Sequence, residues 1–378
     1  MFVYFEDNYS WHTHFHMALL RGGNINEVDQ FCRHLKTVPN KDGAAASQAW
    51  FEAWSKLAGH WAEASNKDAQ AGHVRSSAHK AGRASIYYFT AEKMLPPDDA
   101  RKELAYDAAL ENFHRWVDGL DLAVERVEVP FGKGSLPALF VPALGDGPAP
   151  CLVHLNGYDG VKEIVYQRMG DELRQRGISL LIVDQPGTGE ALRKRGLHLD
   201  PASEHAASAC VDYLLGRSDV KKTAIGVIGV SLGSYHAARA AAFEPRFACC
   251  IAWGGYWTPR ESHTEIKRSG SPDSLPSFHR RWVTGQNTEE GASAIMKQLT
   301  LEDAMHRVTC PLLVVYGEAD RLVPRHKAER QVEEAVNTPD RTLKVFTAEE
   351  GGVEHVQNDN SSLAVNYIGD WVEQRLKR

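Results

Sequence analysis

From Leu122 onward the chain alternates short, continuously apolar runs with amphipathic stretches, and this alternation limits the fold more than any other feature. "AVERVEVPF" and "LPALFVPA" flank the turn signal Gly132-Lys133-Gly134 and read as a strand pair. After them come "PCLVHLNG", helix "VYQRMGDELRQRG", "ISLLIVD", helix "ASEHAASACVDYLLG", "KTAIGVIGV" and helix "YHAARAAAF". "FACCIAWGG", "CPLLVVYG" and "TLKVFTA" supply further strands, and "NSSLAVNYIGDWVEQRL" a closing helix. Strands apolar on both faces cannot border water. The pattern therefore predicts an α/β fold with a mostly parallel sheet covered by helices on both faces.

The first 120 residues carry almost no strand-like run. In "AAASQAWFEAWSKLAGHWAEASNK", Trp50, Trp54, Leu57 and Trp61 recur at spacings of three and four, as on one face of a helix. Two more amphipathic stretches follow, separated by Pro96-Pro97-Asp98. A chain of 378 residues suits one large domain plus an accessory one. The expected division is a helical domain over residues 1–120 and a catalytic domain over 121–378. Within the latter the alternation stops between about 256 and 309, long enough for an inserted lid.

Ser231 stands in "VIGVSLGSYH", between Gly229 and Gly233, after an apolar strand and before a helix. That placement is the one a nucleophile elbow requires, because only small neighbours let the chain reverse around the serine. A serine hydroxyl needs a base, and the base an orienting acid. Asp320 lies just past the strand "PLLVVYG", with Glu318 as substitute acid. His355 lies in the glycine-rich loop "EEGGVEHVQNDN", with His326 as fallback base. An oxyanion site needs two backbone N–H donors. Leu232, following the serine, and Tyr158, in "HLNGYDGVKE", are the candidates. "VDQPGTGE", Asp184 to Glu190, is another glycine-rich turn after a strand; without P-loop spacing or lysine it cannot cradle phosphate and instead shapes the site from one side.

Other features exclude whole classes of function. The formal charge of −6 is too mildly acidic to suggest nucleic-acid binding. No run approaches the roughly 20 apolar residues of a membrane span. The opening "MFVYFEDNYSWHTHF" lacks a basic start and apolar core, so a cytoplasmic location is expected. The six cysteines have no metal-type spacing and read as buried free thiols. His12, His14 and His16 invite a metal reading, but no later carboxylate or lysine completes such a set. With Trp11 and Phe15 they are instead candidates to line a pocket. Tyr158, Trp253, Tyr256 and Trp257 gather at strand ends and suit an apolar or aromatic acyl pocket.

Taken together, "GVSLGSYHAARAAAFEPRFACCIAWGGYW", "NGYDGVKE" and "GGVEHVQNDN" resemble the α/β-hydrolase superfamily. More narrowly they resemble a subfamily with a helical N-terminal region. It includes 2,6-dihydroxypseudooxynicotine hydrolase, fungal polyketide-shortening hydrolases and fermentation–respiration switch esterases. The resemblance covers residues 120–378; the first 120 match only as helices. It implies Ser231 as nucleophile, Asp320 as orienting acid, His355 as base, no cofactor, and a homodimer. It also implies that the bond cut is either an ester or a carbon–carbon bond beside a ketone. In one carbon–carbon hydrolase a carboxylate after the nucleophile region has an assigned role, and Glu261 falls at that place here. The expected function is thus a serine hydrolase of a small aromatic or medium-chain ester. The alternatives are a carbon–carbon hydrolase of a β-diketone or acyl-phenol and a catalytically idle binding protein. A peptide substrate has no separate support in the residues.

Overall fold

The computed structural model describes residues 2–39, 43–258 and 275–377. These form two compact units. One comprises the described residues up to 123 with 275–279, the other 124–258 with 280–377.

The first unit is helical: α1 (Tyr9–Leu20), α2 (Ile25–Cys32), α3 (Ala44–Gln70), α4 (Val74–Glu92) and α5 (Ala100–Leu120). The spacing read from the sequence is the reason α3 has a buried face. Trp50, Trp54 and Leu57 are fully buried on it, and Trp61 packs partly buried against the same cluster. Trp50 lies between Trp11 and Trp54, with ring centroids 5.0 and 5.2 Å away, and its indole N–H donates to the Thr90 carbonyl (2.9 Å). Asn8 caps α1 by accepting from Trp11 N, and Asp99 caps α5 by accepting from Arg101 N. The Pro96-Pro97-Asp98 break leads into that second cap.

The second unit contains an eight-stranded sheet: β1 (Glu125–Phe131), β2 (Gly134–Val141), β3 (Ala149–Leu155), β4 (Ser179–Val183), β5 (Val220–Val230), β6 (Cys250–Trp253), β7 (Leu312–Gly317) and β8 (Arg341–Phe346). Their spatial order is β1-β2-β4-β3-β5-β6-β7-β8. β1 and β2 form the antiparallel hairpin about Gly132, β2 joins β4 antiparallel, and every further pairing is parallel. After β3 the chain steps out to β4, then crosses back to β5 on the other side of β3. A crevice opens where the order reverses, at the carboxyl ends of β3 and β5.

The helices here are α6 (Lys162–Val165), α7 (Asp171–Gln175), α8 (Gly189–Arg195), α9 (Glu204–Leu215), α10 (Leu232–Phe243), α11 (Phe278–Thr284), α12 (Glu289–Met296), α13 (Arg325–Glu334) and α14 (Ser361–Leu376). Where the sequence predicts one helix over "VYQRMGDELRQRG", α6 and α7 are joined by a π-helical stretch, Tyr166–Gly170. A Cβ at Gly170 would lie 2.3 Å from the Tyr166 ring, so that turn accepts only glycine. One short helix, α8, begins inside the stretch that the sequence reads as a glycine-rich turn. In the interruption before β7, the described residues hold α11, α12 and the 3₁₀ turn Met305–Arg307. All six cysteines are free and buried. No described helix is long and apolar enough to cross a membrane.

Two imidazoles sit inside this core. Burial, with the Arg168 charge nearby, pushes His154 on β3 down to about 3. Burial likewise pushes His236 on α10 down to about 4. Both are neutral when folded, whereas in the unfolded chain they take up protons near pH 6.5. As pH falls from about 6.5 toward 4, the unfolded state binds protons the folded state refuses. Each imidazole then removes about 1.4 kcal/mol of stability per pH unit. Replacing His154 by Leu is expected to make the loss shallower, by about half that amount per unit at pH 6.5 and nearly all of it at pH 5.0, read as urea-unfolding free energies at pH 6.5, 6.0 and 5.0. Parallel pH dependences in the two proteins would refute the assignment.

Candidate active site

The crevice at the sheet's carboxyl edge collects the loops after β3, β5, β7 and β8. Ser231 follows β5 directly and forms the N-cap of α10, with φ 61° and ψ −124°. A non-glycine residue is held in this left-handed region only at a cost, so the surroundings must enforce it. They do so by close approach. A Cβ at Gly229 would lie 1.9 Å from the Gly233 carbonyl oxygen, and one at Gly233 would lie 2.4 Å from that of Leu155. Ser231 N donates to the Trp253 carbonyl (2.8 Å), extending the β5–β6 pairing through the turn.

The hydroxyl of Ser231 lies 2.8 Å from His355 Nε2, and His355 Nδ1 lies 2.7 Å from Asp320 Oδ2. The Asp320 side chain is fully buried and that of His355 is 5% exposed, while Ser231 is partly accessible. Asp320 Oδ1 accepts from the amides of Leu322 (2.8 Å) and Val323 (3.0 Å), which fixes the carboxylate plane. The loop bearing His355 is fastened separately. Asp359 accepts from the amides of Val353 and Glu354 (3.0 Å each), and Ala319 N donates to the Val353 carbonyl (3.0 Å). Val356 sits in the left-handed region at φ 47°, an unusual place for a β-branched residue. The Arg168 guanidinium donates to the Val356 carbonyl and lies 3.9 Å from the Trp253 ring centroid. Neither Arg168 nor Asp359 stood out in the sequence, where a lone Arg or Asp gives no signal of such a contact.

The loop after β3 comes against the serine. A Cβ at Gly157 would lie 2.6 Å from the Val230 carbonyl oxygen and 3.2 Å from Ser231 Cβ, so this approach needs glycine. Tyr158 follows it, half-buried, and Leu232 begins α10 next to the serine. The Tyr256 ring meets His355 edge-on at 6.5 Å, and its amide donates to Ser234 Oγ (2.9 Å). Burial pushes both tyrosine hydroxyls well above their ordinary range. The Asp320 charge adds to this at Tyr256, and at Tyr158 the nearby Arg280 opposes it.

Other expectations are corrected. Trp253 is 0% exposed, packed under Arg168 with its indole N–H donating to Gln357. Trp257 is 1% exposed under the Arg330 guanidinium, 4.3 Å away. Rings with almost no accessible surface cannot line a pocket; both belong to the core behind the site, and of the four expected there Tyr158 and Tyr256 stay partly accessible. Glu318 accepts from Ala348 N and His326 is exposed on α13, so neither enters the Ser231 chain. Glu261 lies outside the described residues. Phe15 is fully buried in the first unit's core. The imidazoles of α1 have separate bonds there: His12 Nδ1 accepts from Tyr4 N (3.3 Å), His14 donates to the Ser10 carbonyl (2.8 Å) and His16 to that of Phe2 (2.7 Å). Among the described residues no group of three or more His, Cys, Asp or Glu could hold a metal ion.

Residues 172–378 match the prolyl oligopeptidase family. The chain belongs to that family. Relatives and structural neighbours extend the likeness beyond the match. The protein is 27% identical over 274 residues to a 2,6-dihydropseudooxynicotine hydrolase of Paenarthrobacter nicotinovorans, covering 72% of this chain and 71% of that one. It is 27% identical over 330 residues to the α/β hydrolase xenA of Xenoacremonium sinensis, covering 76% of each. Among solved structures, a 2,6-dihydroxy-pseudo-oxynicotine hydrolase superposes with a TM-score of 0.77 at 23% identity, covering 96% of this chain and 95% of that one. An esterase of Pyrococcus furiosus superposes with a TM-score of 0.51 at 18% identity, covering 69% and 95%. This prolyl oligopeptidase family member has the α/β-hydrolase fold and is a hydrolase.

Proposed function

We propose that the protein is a serine hydrolase that forms an acyl-enzyme on Ser231. The observation that carries this reading is the unbroken chain Ser231–His355–Asp320, with contacts of 2.8 and 2.7 Å. His355 Nε2 takes the hydroxyl proton as Ser231 attacks a carbonyl carbon, and buried Asp320 stabilises the imidazolium. The amides of Tyr158 and Leu232 receive the oxyanion, helped by the positive N-terminal end of α10. The imidazolium returns its proton to the leaving group. Water, deprotonated by His355, then releases the acid. The accessible faces of Tyr158 and Tyr256 favour a small aromatic or medium-chain ester.

A p-nitrophenyl ester tests this reading. The expected course is a burst of p-nitrophenol equal to the enzyme concentration, followed by slower steady turnover. Its overturn would be no turnover of any activated ester by folded protein.

A second reading, hydrolysis of a carbon–carbon bond beside a ketone, draws support from the likeness to the pseudooxynicotine hydrolase over nearly the whole chain. Here the leaving group is an enolate, which the imidazolium must protonate on carbon. Acid release from an aryl 1,3-diketone, exceeding turnover of the matching aryl ester, would favour it. Under this second reading Glu261→Gln would slow only the diketone reaction.

A further inference from the structure

The glycine-rich turn "DQPGTGE" and the helix it opens have no part in the proton chain, yet their polar groups converge on the loop that carries Tyr158. Asp184, fully buried at the end of β4, accepts four hydrogen bonds. Oδ1 takes Asn156 Nδ2 and Lys162 N (3.0 Å each); Oδ2 takes Lys162 Nζ (3.0 Å) and Glu190 N (2.9 Å). One carboxylate thus holds the residue two before Tyr158, the residue four after it, and the first turn of α8. The chain wraps this carboxylate so closely that a Cβ at Gly189 would lie 2.0 Å from Asp184 Cγ.

α8 grips the same loop at two further points. Gly189 N donates to the Gly160 carbonyl (2.8 Å). Arg193 Nη1 lies 2.6 Å from Asp159 Oδ1, a pair with side chains 5% and 0% exposed. Asp159, next to Tyr158, is itself in the left-handed region at φ 50°. Strain of that kind persists only where neighbours impose it, and a buried ion pair at the strained residue does so.

We propose that Asp184 and the Asp159–Arg193 pair are the positioning device of the oxyanion site, setting the Tyr158 amide against Ser231. The inference rests on the serine-hydrolase reading and on Tyr158 as an oxyanion donor, and it goes beyond both. An oxyanion donor contributes in the transition state and little to the bound substrate, so a misplaced amide lowers kcat and leaves KM almost alone. Losing one such donor costs about 10²–10³ in kcat. In Asp184→Asn the amide can accept on one side only. Its NH₂ then faces either the donors Lys162 Nζ and Glu190 N or the donors Asn156 Nδ2 and Lys162 N, so half of the loop's anchorage is lost.

The test compares wild type, Asp184→Asn and Asp159→Asn on a p-nitrophenyl ester, and measures inhibition by an aryl trifluoromethyl ketone. Addition of Ser231 to that ketone places an oxyanion in the site. Asp184→Asn is expected to lower kcat about 10²-fold and to raise the ketone Ki by a similar factor. KM should change less than about threefold, and the apparent pKa of the kcat/KM profile should stay with wild type. Asp159→Asn keeps a residue type that tolerates the left-handed backbone but removes the charge that meets Arg193, and it leaves every bond to Asp184 in place. It is expected to lower kcat threefold to tenfold with the same unchanged KM, and it decides the matter alone if Asp184→Asn does not fold. Folded variants with kcat and ketone Ki within twofold of wild type would overturn the positioning role, as would a kcat loss matched by a KM rise. If wild type itself shows neither burst nor ketone inhibition, the serine-hydrolase reading falls, and the positioning role with it.

Discussion

Ser231→Ala is expected to lower kcat by at least about 10³-fold while leaving the fold intact. The chemistry of the first step resides in one oxygen, and no described side chain offers a second nucleophile on the His355 Nε2 contact. The fold should tolerate the change because the turn around residue 231 is held by groups the substitution does not touch. These are the Ser231 N bond to the Trp253 carbonyl and the bare α-positions of Gly229 and Gly233. Alanine also fits the cavity left by the hydroxymethyl group. The residual rate should be that of an oxyanion site working with water. Circular dichroism and urea unfolding separate this outcome from damage to the fold. A loss below tenfold on a substrate the wild type turns over would remove Ser231 from the chemistry.

Asp320→Asn is expected to cost about 10⁴ in kcat through the tautomer of His355, with little effect on KM. The direction follows from bonds around the carboxylate. Oδ1 accepts from two amides, Leu322 and Val323, which demand an acceptor there. An asparagine must therefore turn its carbonyl oxygen to those amides and its NH₂ toward His355 Nδ1, 2.7 Å away in the wild type. A ring nitrogen facing a donor must be unprotonated, so the imidazole proton moves to Nε2 and points at the serine. The base is then lost although every heavy atom stays near its place. Asp320→Asn and Asp320→Ala should differ in stability, since only alanine leaves the two loop amides without an acceptor. Equal activity of Asp320→Asn and wild type would show that the aspartate does not orient the imidazole.

All eight strands could be read from the chain: six are apolar runs closed by glycine, proline or a charged turn, while β1 and β8 mix charged and apolar residues, with β1 marked by the Gly132 turn that follows it. The same reading could not find α8, since seven residues opening in "GTGE" are too short to show a helical period. The elbow at Ser231 declares itself through its glycines, and Asp320 and His355 through their places past β7 and β8. The distances that join them depend on anchors with no sequence signature. Arg168 reaches the Val356 carbonyl from a segment far away in the chain, while Asp359 and the amides of Leu322 and Val323 act within their own loops, through turns that no residue pattern announces. Trp253 and Trp257 show the opposite limit. Their apolarity indicates burial, but not whether a ring faces a pocket or packs beneath an arginine. Asp184 was visible as part of a glycine-rich turn, while its four bonds arise only once β3, β4 and α8 are brought together.

The most direct test of the account is the intact mass of the protein after incubation with a fluorophosphonate, followed by peptide mapping. A single adduct on Ser231 is expected, absent in Ser231→Ala and much slower to form in His355→Ala. A folded protein that takes no adduct, and also fails to cleave a small activated acetate, would contradict it.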